Sequence, residues 1–194
     1  MSDRGFLIVY LCGALLAYAI RVPFLRRANR GRIREDRLNV REAAFNIISF
    51  VGLFVFPVNA FDGALPGLAY TLPVWAGWVG TAFLLGAIVL LWRAHVDLGR
   101  NWSAILQIKQ EHSLVTDGIY RHIRHPMYAA HLLWAIAQGL LLENWLAGWA
   151  FLVVFVPLYL IRVPKEEHMM LEQFDEQYRQ YISRTGKIIP RFWK

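Results

Sequence analysis

This sequence is short of acidic charge and nearly devoid of cysteine. Of its 194 residues 14 are Asp or Glu against 21 Lys or Arg, and only 18% are charged, below the ~25% of an ordinary soluble domain. The one cysteine, Cys12, lies inside an apolar run, so neither a disulfide framework nor a cysteine metal site can form within the chain. No G-x-G-x-x-G loop is present, which removes the Rossmann nucleotide site. There is no internal repeat and no low-complexity linker. Basic residues are not interleaved with aromatics on a soluble face, so the +7 net charge is not a nucleic-acid signature. The histidines offer no metal set. His122, His125 and His131 lack a suitably placed acidic or cysteine ligand, and His95, His112 and His168 are scattered. No metal is expected.

What the chain has is apolar length. Hydrophobic residues make up 57%, with a mean hydropathy of +0.35, and they fall in runs long enough for membrane helices, which need roughly 20 residues. Three runs are clear: 6–20 extended by 22–25, 43–61, and 72–92. Two shorter ones, 126–142 and 145–161, are separated only by Glu143 and Asn144, the pattern of a tight helical hairpin. The first run lacks a small-residue cleavage pattern and is followed by an arginine-rich loop, so it reads as a span rather than a signal peptide.

The cations test this count. Arg4 precedes the first run; eight Lys and Arg lie between runs one and two, five between runs three and four, and seven after run five. With five spans, 20 of the 21 share one side. The positive-inside rule makes that side cytoplasmic and the N-terminus external. The expected fold is all-α: an integral membrane protein with five transmembrane helices and cytoplasmic cap helices. Residues 1–92 form an N-terminal three-helix membrane region. Residues 93–194 form a catalytic region with the hairpin and a C-terminal amphipathic helix. That helix is expected to start at Pro164, with Leu171, Phe174, Tyr178 and Tyr181 on its apolar side. Gly186 should end it, and Trp193 should anchor at the interface. The loop 26–41 is expected to be partly helical.

Two polar clusters stand at span ends on the cytoplasmic side. One is "YRHIRHPMY", 120–128; the other is "RVPKEEH", 162–168. The plain reading of the first is a basic interfacial anchor. For the second it is an Arg162–Glu166 pair worth ~0.3–0.5 kcal/mol on a helix surface. Yet ionisable groups aimed into a membrane bundle mark function, and these two clusters end neighbouring spans on one face.

Arg124-His125-Pro126-Met127-Tyr128, followed by Arg162 and Glu166-Glu167, resembles the R-H-P-x-Y … R-x-x-x-E-E signature of isoprenylcysteine carboxyl methyltransferases. "HSLVTDGIY", 112–120, is similar to that family's H-x-L-V-T-x-G-x-Y, and "LGRNWS" and "FDEQYRQY" are similar too. The resemblance covers about 90–194. It implies S-adenosyl-L-methionine as cofactor. It places Gln107 (allowing a two-residue gap), His112, Ser113, Leu114, Val115, Tyr120, His125, Pro126, Met127, Tyr128 and Glu166 in the cofactor pocket, and Arg162 on the acceptor. Eukaryotic members carry additional N-terminal spans, so the acceptor is read as a prenylated or other lipid-like molecule in a bacterial-type inner or plasma membrane, with membrane lipids as neighbours.

The residues agree with that chemistry. Methyl transfer from a sulfonium is an in-line displacement that mainly needs alignment. A carboxylate acceptor is ionised at neutral pH and needs no base, and Arg162 suits it. Phospholipid N-methylation is the alternative, and it would call on a base, for which Glu167 is the nearest candidate. A sterol-reductase-type enzyme, and a non-enzymatic membrane subunit whose clusters are anchors, also stay open.

Overall fold

The computed structural model describes residues 3–28, 47–48, 50–61, 66–99 and 113–191. Five α-helices are named in chain order: α1, Asp3–Ala28; α2, Phe56–Phe61; α3, Val74–Leu98; α4, Pro126–Leu142; and α5, Trp145–Arg184. A π-helical turn, Val51–Val55, leads into α2. Among the described residues, α1, α3 and α5 are long and apolar enough to cross a membrane, and α4 is a shorter apolar helix of 17 residues, at the lower limit for a span. The loop expected at 26–41 begins inside α1, which runs to Ala28, and its residues 29–41 lie outside the described residues.

Ring and glycine contacts give the helix directions. Phe6 meets Trp78, Gly13 meets Leu84, and Phe24 meets His95, so α1 and α3 run in parallel. Helix α4 runs against both. Gly80 of α3 faces Leu140 and Leu141, and Ala94 faces Tyr120 just before α4. Helix α5 turns back along α4. The reversal uses Glu143 at φ 45° and Asn144, whose side-chain oxygen accepts the N–H groups of Leu146 and Ala147 at 3.1 and 3.0 Å, an N-cap. Small residues let these helices approach closely: a Cβ on Gly139 would strike the Trp149 ring at 2.6 Å.

The outside of the bundle is apolar. Leu15, Leu85, Val89, Val153 and Leu160 are exposed, a surface suited to hydrocarbon rather than water. Inside, one polar knot ties the helices together. The Tyr10 phenol donates to Gln138 at 2.8 Å and accepts from the Trp134 indole at 3.2 Å. Gln138 donates to the carbonyls of Gly52 and Ala147 at 2.8 and 2.6 Å.

Two sequence expectations need correction. Helix α3 continues six residues past the apolar run, to Leu98, because Arg93 and Asp97 pair one turn apart at 2.9 Å at its polar end. No new helix starts at Pro164. Helix α5 passes through both Pro157 and Pro164, and non-helical geometry appears only at Asp175 (φ 38°). Both prolines lie on the exposed face, where a missing N–H and a displaced carbonyl disturb no helix–helix contact. The amphipathic pattern holds beyond them: Tyr178 and Tyr181 are buried, while Glu172, Asp175, Glu176 and Arg179 are exposed.

Candidate active site

The site forms where the start of α4 meets the middle of α5. Gly118, at φ 60°, opens a tight turn over Gly118–Arg121. A side chain there would collide with Asp97, whose carboxylate accepts the Ile119 N–H at 2.7 Å. The turn delivers buried Tyr120 and Ile123, then Arg124 and His125. Pro126 takes the first helical position of α4, which favours a helix start at this point. His125 and Tyr128 thus face the stretch of α5 that carries Arg162, Glu166 and Glu167.

Glu166 is the meeting point of one group. Its Oε1 accepts the Tyr128 hydroxyl at 2.6 Å and the Arg162 Nε–H at 3.1 Å. Its Oε2 has His125 Nδ1 at 3.7 Å, beyond good hydrogen-bond length, which leaves acceptor capacity on that oxygen among the described residues. The local Arg162–Glu166 pair of the plain reading is therefore real, and it is also part of a larger constellation.

Glu167 anchors a second group. Oε1 lies 3.2 Å from both Arg124 Nε and His125 Nε2, and Oε2 lies 2.9 Å from Lys187 Nζ. Partial burial alone would raise this carboxyl. The hydrogen bonds and charges of His125 and Lys187 outweigh it and hold the group at about 2.

The chain end locks the arrangement. Arg124 also donates to the carbonyls of Ile182 and Thr185. The N–H groups of Arg124 and His125 bond the carbonyls of Gly186 and Lys187, each at 2.9 Å. Gly186 must be glycine, since a Cβ would meet the Ile189 carbonyl oxygen at 1.7 Å. The Tyr181 hydroxyl donates to the Tyr120 carbonyl at 2.6 Å. Burial pushes the phenols of Tyr120, Tyr178 and Tyr181 up, so they stay neutral.

From this polar floor an aromatic ladder descends between α4 and α5. Tyr128 meets Phe155 and Tyr159, and His131 stacks on Phe155 at 6.2 Å. Nδ1–H of His131 donates to the Met127 carbonyl at 2.6 Å.

Of the expected site residues, His125, Tyr128, Arg162, Glu166 and Glu167 converge. Pro126 and Met127 set the start of α4, and Tyr120 lies beneath the cap. Ser113, Leu114 and Val115 form an irregular approach to the turn. Gln107 and His112 lie outside the described residues, as does Trp193. Sequence reasoning missed Asp97, Thr185 and Lys187. The polar run "RTGKII" after the amphipathic helix was the available signal for the last two.

This is a helical protein of membrane type, with a polar cluster at the end of an aromatic ladder packed between α4 and α5. Residues 78–172 match the isoprenylcysteine carboxyl methyltransferase (ICMT) family. The chain is 31% identical over 118 residues to protein-S-isoprenylcysteine O-methyltransferase B of Arabidopsis thaliana, covering 60% of each protein. It is 34% identical over 99 residues to the Schizosaccharomyces pombe enzyme, covering 50% of this chain and 42% of that one. It is similar to the solved structure of the eukaryotic intramembrane Ras methyltransferase ICMT, with a TM-score of 0.56 and 26% identity, over 81% of this chain and 54% of the other. The chain thus spans about 60% of the length of its plant relatives.

Proposed function

We propose that this protein transfers a methyl group from S-adenosyl-L-methionine to the carboxylate of a prenylated or otherwise lipid-like acceptor at the membrane interface. One observation carries the reading: Arg162, Glu166, Tyr128 and His125 converge at the polar end of the aromatic ladder. A water-soluble donor and a lipid-delivered acceptor can meet at such a place.

The donor set fits the cofactor. Glu166 Oε2 keeps acceptor capacity for an ammonium or hydroxyl, Tyr128 and His125 frame it, and the irregular 113–115 backbone lies on the approach. His112 and Gln107 are proposed to complete the pocket. The bound cofactor would supply a methyl group on a sulfonium. This chain's part is to orient and to exclude water. Arg162 holds the acceptor carboxylate through its planar fork, while the ladder Tyr128–Phe155–Tyr159 aligns the apolar tail.

Glu167 helps to choose between acceptors. Amine methylation needs a base whose pKa lies near working pH. A carboxyl held at about 2 by His125 and Lys187 is a poor proton acceptor. Glu167 then serves by fixing Arg124 and His125 rather than by taking a proton, and a carboxylate acceptor, already ionised, is favoured over phosphatidylethanolamine.

The parallel course of α1, α3 and α5 supports five crossings, since the segment between α1 and α3 must return across the membrane. The positive-inside rule then puts the site on the cytoplasmic face and the N-terminus outside. The test is calorimetric titration of purified protein with S-adenosyl-L-methionine, followed by methyl transfer to N-acetyl-S-farnesylcysteine and to phosphatidylethanolamine. Cofactor binding with transfer to the prenylcysteine alone is expected. Transfer to phosphatidylethanolamine alone would move the assignment to N-methylation, and no cofactor binding would leave a non-enzymatic subunit.

A further inference from the structure

Lys187, at the chain end, reaches His125 twice. Its carbonyl accepts the His125 N–H at 2.9 Å. Its ammonium lies 2.9 Å from Oε2 of Glu167, whose Oε1 lies 3.2 Å from His125 Nε2. The backbone of His125 is thus held from residue 187 directly, and its ring through Glu167. Lys187 stands just past the bridge between Ile123 and Gly186, so its place follows from the return of the chain end onto the turn before α4.

Arg124 and His125 share one oxygen of Glu167. Held by that oxygen alone, the carboxylate could swing about it. Lys187 on the second oxygen fixes the carboxylate plane. An ionised carboxylate only accepts, so the hydrogen between Glu167 and the ring belongs to His125 Nε2. The other ring nitrogen, Nδ1, lies 3.7 Å from Glu166 Oε2, too far for an N–H donated to that oxygen. In the neutral ring Nδ1 then carries a lone pair. Two acceptors, Nδ1 and Glu166 Oε2, stand side by side around a buried ring that meets Tyr128 edge-on at 5.8 Å. Such a pair suits a ligand group with several donors, as an ammonium has.

We propose that Lys187 is a positioning residue for the cofactor site: by clamping Glu167 it holds His125 as the Nε2–H tautomer, with the Nδ1 lone pair beside Glu166 ready for a donor on the cofactor. The proposal rests on the reading of this cluster as an S-adenosyl-L-methionine pocket. Lys187 acts through Glu167 and His125, and it takes no part in methyl transfer itself.

The experiment uses the full chain in detergent at neutral pH. Ring-nitrogen NMR of labelled histidine reads the tautomer without cofactor, and the His125 signal is identified by its loss in His125→Gln. Calorimetry measures S-adenosyl-L-methionine affinity. The wild-type ring should report the Nε2–H tautomer. Lys187→Met keeps the backbone carbonyl and should give a mixture of tautomers, with affinity about fivefold lower, the upper end for a partly exposed ion pair. Lys187→Arg should recover both. In a Glu167→Gln background, Lys187→Met should change affinity less than about twofold, because its route to the ring is already broken. An unchanged affinity or an unchanged ring signal in Lys187→Met overturns the proposal. So does an equal loss in the Glu167→Gln background, which makes Lys187 a residue of the fold alone. A wild-type ring in the Nδ1–H form overturns it without any variant. A wild type that binds no S-adenosyl-L-methionine overturns the pocket reading, and this role with it, before any variant is compared.

Discussion

The hydroxyl of Tyr128 donates to Glu166 across 38 residues of sequence, at 2.6 Å. This bond joins the first turn of α4 to α5 at the point where the two sequence motifs meet. If Glu166 serves the cofactor, Tyr128 orients it. Glu166→Gln should weaken S-adenosyl-L-methionine binding at least tenfold, because an amide carries no charge to offer an ammonium. Tyr128→Phe should cost about 1.5–3 kcal/mol, one hydrogen bond to a charged carboxylate, and His125→Ala should also weaken binding. Calorimetry on folded, purified variants is the check, and normal affinity in all three would return the cluster to an interfacial anchor.

Arg162→Lys should keep cofactor binding and lose turnover on a lipid carboxylate. An ammonium cannot reproduce the two parallel bonds of a guanidinium. Losing a charge-assisted pair costs about 1.5–3 kcal/mol, or roughly tenfold to a hundredfold in rate. Steady-state kinetics with a prenylcysteine would reveal full activity if Arg162 only snorkels.

Glu167 predicts a pH dependence of stability. Its folded carboxyl is held at about 2, below the ordinary 4.5, so the fold favours the ionised form. The stabilisation is fully present above the ordinary value and is lost as pH falls through about 2. Wild type should therefore melt above Glu167→Gln near pH ~6, and the gap should close with acidification. Melting curves in detergent at several pH values measure it, and a gap independent of pH would contradict the assignment.

Gln138 ties α4 to the π-helical turn and to α5, and Tyr10 ties α1 to Gln138. Gln138→Ala should destabilise the bundle by about 1–3 kcal/mol, a few interhelical hydrogen bonds in an apolar medium. Cofactor affinity should be unaffected, because the knot lies along α4 well away from Glu166. Thermal melting with a parallel titration separates the two effects.

The proposed topology is testable by cysteine labelling in a background lacking Cys12. Reagent added outside intact cells should mark cysteines placed at 62 or 143 and spare those at 36 or 176. Labelling at 176 would exclude five crossings with an external N-terminus.

Much of the architecture was legible because its causes are local. The run 126–142 corresponds to α4 residue for residue, since Pro126 favours a helix start and Glu143-Asn144 favours a reversal. Asp117-Gly118 marked its turn because a positive φ favours glycine. Arg162 and Glu166 stand one turn apart, so their pairing followed from helix geometry.

Tertiary structure decided whatever depended on partners distant in sequence. Glu167 was open to reading as a base until Arg124, His125 and Lys187 were found around it. Those contacts depend on a chain end that folds back at Asp175 rather than at Pro164. Proline's preference for helix starts is weak beside the packing of a long helix whose prolines face outward. In the same way, nothing local linked Tyr10 of the first apolar run to Trp134 and Gln138 of the fourth. The register between α1 and α4 is set by their bonds, which span more than a hundred residues of sequence.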